Sequence, residues 1–184
     1  MKITKLDQSV IVNPETGSPA HALVLYGGLY GWEGAWFLQE IPDYMKESTI
    51  FCLPKSYMNS CQKCLDELHR VVPTDSIKSY SLAGYSRGAI EVYRNRSLKE
   101  WRIFGLVDPS APTLGDFEDT VLDNVSAKIR CVFWVPNWGK DGYNGRVPRF
   151  AQHLRDLRVN MKEQATDHYY MPRLFFDVYH KEFM

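Results

Sequence analysis

The sequence predicts a three-layer α/β/α domain around a mostly parallel sheet. Three observations carry this. Short apolar runs of four to seven residues alternate with helix-like segments of about a dozen, the signature of βαβ units. The apolar runs are nearly continuous, as in strands covered by helices on both faces. No Pro/Gly-rich linker, repeat or low-complexity segment divides the 184 residues, so one domain spanning residues 1–184 is expected.

The elements follow in order. The segment Ile3–Gly17 is expected to add a hairpin or edge strand. His21–Tyr26, "HALVLY", is a strand stopped by Gly27-Gly28. "GAWFLQEIPDYM" has helical spacing at Trp36, Phe37, Ile41 and Tyr44, interrupted by Pro42. "STIFCLP" is a strand. "NSCQKCLDELHRVV" is a helix with Asn59 or Ser60 as N-cap and Cys61, Cys64, Leu65, Leu68 and Val72 on its apolar stripe. "YSLAG" is a strand, and "RGAIEVYRNRSL" a helix with Ile90, Tyr93 and Leu98 inward. "RIFGLVD" and "RCVFWVP" are strands, separated by a helix capped at Asp116. "PRFAQHLRDLRV" is a helix, "VNMKEQAT" a polar strand, and "HYYMPRLFFDVYHKEFM" a closing apolar helix with Pro172 in its first turn.

Composition narrows the function. Lys+Arg and Asp+Glu are equal at 22 each, and no basic stripe suggests nucleic acid. No stretch approaches the ~20 apolar residues of a membrane span. The opening "MKITKLDQSVIV" lacks the apolar run of a signal peptide, so a soluble cytoplasmic protein is expected. Cys61-x-x-Cys64 lies inside a helix with no second pair at matching spacing, which favours two small core residues over a metal or redox site.

In open α/β sheets ligands bind beyond the carboxyl ends of the strands. The loops leaving those ends are "GGLYGWEG", "PKSYMNS", "GYSRG", "DPSAPTLG", "NWGKDGYNGRVP" and "DHYYMP". One of them, Gly84-Tyr85-Ser86-Arg87-Gly88, joins a strand directly to a helix. Small neighbours let the chain reverse tightly there and raise a hydroxyl at a helix start. The plain alternative is an ordinary turn.

This strand–Gly-x-Ser-x-Gly–helix arrangement resembles the nucleophile elbow of the α/β-hydrolase superfamily, and the resemblance extends from about His21 onward. It implies a minimal α/β-hydrolase fold; the chain leaves no length for a lid domain. It also implies a triad in the order Ser, acid, His. Ser86 is then the nucleophile. His168, just after the last strand, is the base; His21, His69, His153 and His180 sit elsewhere. The acid is Asp141, after the penultimate strand, with Asp108 the alternative; Asp167 reads as a helix cap. The resemblance implies an oxyanion hole from the Arg87 amide and that of Gly28, with Leu29 next, although Tyr26 stands where the family usually has His. The Arg87 side chain is read as a salt-bridge support of the elbow rather than a substrate contact. Aromatics on the rim loops suggest a pocket for substrate, Tyr30, Trp32, Trp138, Tyr143 and Tyr169 foremost. The expected activity is ester (or thioester or amide) hydrolysis on a small-molecule or exposed polymeric acyl substrate, needing no metal or organic cofactor. A non-catalytic binding protein on the same fold, or an acyltransferase, are the competing readings.

Overall fold

The structure is a computed structural model. It describes residues 1–15, 17, 19–28, 41–108, 127–134, 160–164 and 171–183, with the backbone alone for 131–134 and 160–164. Among the described residues eight strands form one sheet: β1 Lys2–Lys5, β2 Ser9–Asn13, β3 His21–Tyr26, β4 Ile50–Pro54, β5 Ser79–Tyr85, β6 Ile103–Val107, β7 Lys128–Trp134 and β8 Asn160–Gln164. Their spatial order is β1-β2-β4-β3-β5-β6-β7-β8. The β1–β2 hairpin is antiparallel and joins β4 antiparallel, so the N-terminal segment does supply the sheet's edge. All pairs from β4 through β8 are parallel. The carboxyl ends of β3 to β8 therefore share one edge, and all six rim loops leave from it.

The apolar runs are explained by burial on both faces. All six residues of β3 are buried, and they alternate between two cores. Ala22, Val24 and Tyr26 face one core, Leu23 and Leu25 the other. The first core is covered by α2 (Cys61–Val71) and α3 (Ala89–Arg94), the second by α1 (Asp43–Ser48) and α4 (Met171–Tyr179). Three layers follow, as the sequence predicts.

Each helix has a local cause. In α2, Ser60 is the N-cap and its Oγ accepts from the Lys63 amide at 3.5 Å. Cys61, Cys64, Leu65 and Leu68 form the buried stripe at i, i+3, i+4 and i+7. The i+6 position, Glu67, is buried as well, because it accepts hydrogen bonds from the Gln8 amide (2.9 Å) and Ser9 Oγ (2.6 Å) and so anchors the hairpin to the helix. In α4, Phe175, Phe176 and Tyr179 are buried and stack edge-on or tilted at centroid distances of 5.3–5.7 Å.

Two helix boundaries bear on the sequence reading. Helix α1 begins after Pro42, which takes the N-cap position with ψ 140°; the part of the expected helical segment before Ile41 lies outside the described residues. Helix α3 ends at Arg94, where Asn95 Nδ2 bonds back to the Glu91 carbonyl at 2.9 Å; Leu98 is consequently exposed rather than inward. The helix expected at 148–159 lies outside the described residues, as does that at 116–128 except for its last two residues, of which Lys128 begins β7.

Candidate functional site

Ser86 stands at the junction of β5 and α3. Its φ is +53°, a left-handed conformation that L-residues other than Asn and Asp rarely adopt. A 3₁₀ turn, Ser86–Gly88, carries the chain into α3. The two flanking glycines are steric requirements. A Cβ on Gly84 would overlap the Gly88 carbonyl, and one on Gly88 would overlap the Gly27 carbonyl and come within 2.8 Å of the Tyr26 carbonyl. The end of β3 thus presses directly on the start of α3, and the serine between them is left half-buried. Strain of about 1–3 kcal/mol at such a residue persists only where the surroundings over-determine it.

The β3 loop reaches the same point. A Cβ placed on Gly28 would lie 3.4 Å from the Ser86 Cβ, which is contact distance, so the Gly28 backbone borders the Ser86 side chain. Gly28 itself is buried. The side chain of Tyr26, the departure from the usual His, points away from Ser86 into the core and ties down a second rim loop. Its ring is fully buried among the α2-side core, and its hydroxyl donates to the Asn59 carbonyl at 2.8 Å.

Asp108 is the second residue with a positive φ outside glycine, at +43°. It is buried and directly follows β6. Since Tyr85 pairs with Val107, Ser86 and Asp108 are the next residues at the ends of adjacent parallel strands. Asp108 also precedes Pro109, a setting that disfavours helical backbone angles. The sequence reading holds Asp108 as the alternative acid; it carries no sign of this strain.

Arg87 is half-buried. The expected salt bridge is absent among the described residues; its guanidinium carbon sits 5.9 Å from the centre of the Tyr57 ring instead. Neither residue of Cys61-x-x-Cys64 is disulfide-bonded, and burial pushes both thiols up to about 12, leaving them protonated and inert. Among the described residues no group of three His, Cys, Asp or Glu could hold a metal ion, and no helix is long and apolar enough to cross a membrane.

Three histidines fall where the sequence puts them, away from the rim. His21 begins β3 at the amino edge, His69 bonds the Tyr80 hydroxyl at 2.9 Å, and His180 follows α4. His168, Asp141, Leu29, Tyr30, Trp32, Trp138, Tyr143 and Tyr169 lie outside the described residues, as does His153.

No family model and no curated protein sequence matches the chain. Solved structures do. An S-formylglutathione hydrolase from Staphylococcus aureus superposes with TM-score 0.62 at 13% identity, over 96% of this chain and 92% of that one. A lipase/esterase from Lactobacillus plantarum gives 0.64 at 9% identity, over 99% and 98%. Est1E from Butyrivibrio proteoclasticus, with ferulic acid bound, gives 0.64 at 11% identity, over 99% and 98%. With the mixed sheet, the two helical layers and the turn at Ser86 already in place, these matches establish that the chain has the α/β-hydrolase fold over nearly its whole length.

Proposed function

We propose that the protein is a serine hydrolase that cleaves an ester, or a related thioester or amide, through an acyl-enzyme on Ser86. The observation that carries this is the strained Ser86, held between two glycines whose missing side chains make the turn possible. A structural turn has no need of a non-glycine residue at φ +53°, where glycine would be unstrained. The reading is also in keeping with the hydrolase and esterase names of the superposable structures.

His168 is the base in this scheme. Three residues separate it from the end of β8, and the four Cα-to-Cα steps reach at most ~14 Å. Three strand spacings of about 4.8 Å, close to 14 Å, separate β8 from β5. The four steps nearly match that span, and the length of the His168 side chain makes up the difference. His168 takes the proton as Ser86 attacks the carbonyl, then returns it to the leaving group. The amides of Arg87 and Gly28 hold the oxyanion, each worth about 3–4 kcal/mol of barrier. Leu29 is the alternative second donor. Water repeats the cycle on the acyl-enzyme, and neither metal nor organic cofactor takes part. Tyr30, Trp32, Trp138, Tyr143 and Tyr169 supply the acyl pocket.

Asp141 orients His168 in the position the fold family favours. A second reading, Asp108, is supported by one observation: it is the only other described non-glycine residue at positive φ, and it neighbours Ser86 across the β5–β6 pair. The test of the function is hydrolysis of short- and long-chain esters, thioesters and amides by the wild type and Ser86→Ala. Turnover that vanishes in the variant supports the reading. A folded protein inert toward every substrate supports a binding role, and transfer to an added alcohol in preference to water supports an acyltransferase.

A further inference from the structure

The opposite edge of the sheet holds a second feature, unconnected with the hydrolase reading. At the amino ends of β5, β6 and β7 lies a cleft of about 680 Å³, open to solvent. Four cations line it: Lys78, Lys99, Arg102 and Lys128, against a single carboxylate, Glu100. None of the four has an ion pair among the described residues, in a chain whose formal net charge is zero. Unpaired like charges held together repel one another, so their shared placement costs free energy until an anion arrives.

The backbone at these positions is fixed. The Arg102 amide donates to the Tyr80 carbonyl at 2.7 Å, the Lys128 amide to the Arg102 carbonyl at 2.9 Å, and the Lys78 amide to the Ala20 carbonyl at 2.8 Å. Three cationic residues are thereby fixed at the starts of neighbouring strands, about 4.8 Å apart per strand. Lys99 comes from the preceding loop and rests with its Nζ 3.9 Å from the centre of the Tyr80 ring. Two imidazoles register the field. His69 is lowered by burial and then by the Lys99 charge, and His21 by burial and then by Arg102.

We propose that this cleft binds a small, multiply charged phosphate compound of the pyrophosphate class. Its concavity and volume fall in the range of small-molecule sites, about 300–1,000 Å³. A protein partner would instead need a face of about 800 Å² on each side. Guanidinium and ammonium groups spaced at strand intervals suit successive phosphoryl groups. Ser86 is at the far end of β5, roughly 20 Å away at about 3.3 Å per residue, so the bound anion does not touch the hydroxyl.

Inorganic pyrophosphate titrated calorimetrically into the full chain at low ionic strength tests this. Wild type binds with a sub-millimolar Kd, and Arg102→Gln/Lys128→Gln weakens it about 100-fold, near tenfold per charge-assisted contact. Lys78→Gln, at an exposed position, loses about tenfold by itself and covers the case in which the double variant fails to fold. Saturation with pyrophosphate raises the His69 pKa, read by NMR, because the anion offsets Lys99. Absence of binding at about 10 mM pyrophosphate overturns the proposal. So does an unchanged Kd in folded variants, or binding of a Glu-rich peptide in place of pyrophosphate.

Discussion

At Ser86, Gly84 and Gly88 the fold and the proposed chemistry meet in three residues. Replacing Gly88 with Ala drives a methyl into the carbonyls that end β3, where no flexible side chain can yield. Gly88→Ala is expected to cost about 1–3 kcal/mol in a denaturant titration. It is also expected to slow hydrolysis well beyond that loss of stability, because the turn that aims Oγ is displaced. His21 illustrates a different residue-scale effect. It is buried, its Nδ1 lies 2.7 Å from Ser79 Oγ, and its Nε2 has no partner among the described residues. Burial, assisted by the charge on Arg102, pushes its pKa down to about 4. Unfolded, the imidazole titrates near 6.5, so the unfolded chain binds the proton more readily. The neutral ring's contribution to stability is present above pH 6.5 and is lost as the pH falls toward 4, to a total of about 3 kcal/mol. The wild type should therefore lose more stability than His21→Gln between pH 7 and 4. Parallel thermal melts of the two across that range check it; superimposable pH profiles would refute the assignment.

At the scale of elements, the sheet rests on two stripes that never touch. Leu68 closes the α2 stripe and is fully buried. Phe175 does the same for α4, where the bare Cα of Gly105 leaves room for its ring; a Cβ there would come within 2.7 Å of Phe175 Cζ. Leu68→Ala should cost about 2–5 kcal/mol and Phe175→Ala about 3–5 kcal/mol, read as shifts of the urea midpoint. Because the sheet separates the two sites, the costs should add. Strands and helices of this kind were legible in the sequence because each carries its own period. The stripe at Cys61, Cys64, Leu65 and Leu68 and the unbroken run "HALVLY" needed no tertiary information. Leu98 shows the limit. Its spacing continued the α3 stripe, but the helix stops where Asn95 turns back on Glu91, and a local hydrogen bond outweighs periodicity. Glu67 shows the converse, since a carboxylate in a helix reads as solvent-facing until the hairpin that satisfies it is known.

Over the whole molecule, strand order was not readable from the chain. The insertion of β4 between β2 and β3 is a long-range pairing with no local trace. The rim was readable, because βαβ units force parallel strands and parallel strands put every outgoing loop on one edge. The opposite edge was overlooked for the same reason: Lys78, Lys99, Arg102 and Lys128 are dispersed over 51 positions and come together only through strand pairing. The identity of the acid also belongs to this scale, since Asp108 follows β6 and Asp141 follows β7 in the chain. If Asp141 orients the base, Asp141→Asn lowers kcat by about 10⁴ and Asp108→Asn leaves most of it. The reverse pattern in steady-state ester hydrolysis transfers the role to Asp108.

The most direct measurement is labelling of the intact protein with a fluorophosphonate probe, with the modified residue located by peptide mass spectrometry. The account predicts a single adduct on Ser86, absent in Ser86→Ala and strongly slowed in His168→Ala. A folded wild-type chain that stays unlabelled, or an adduct carried by another side chain, would contradict it.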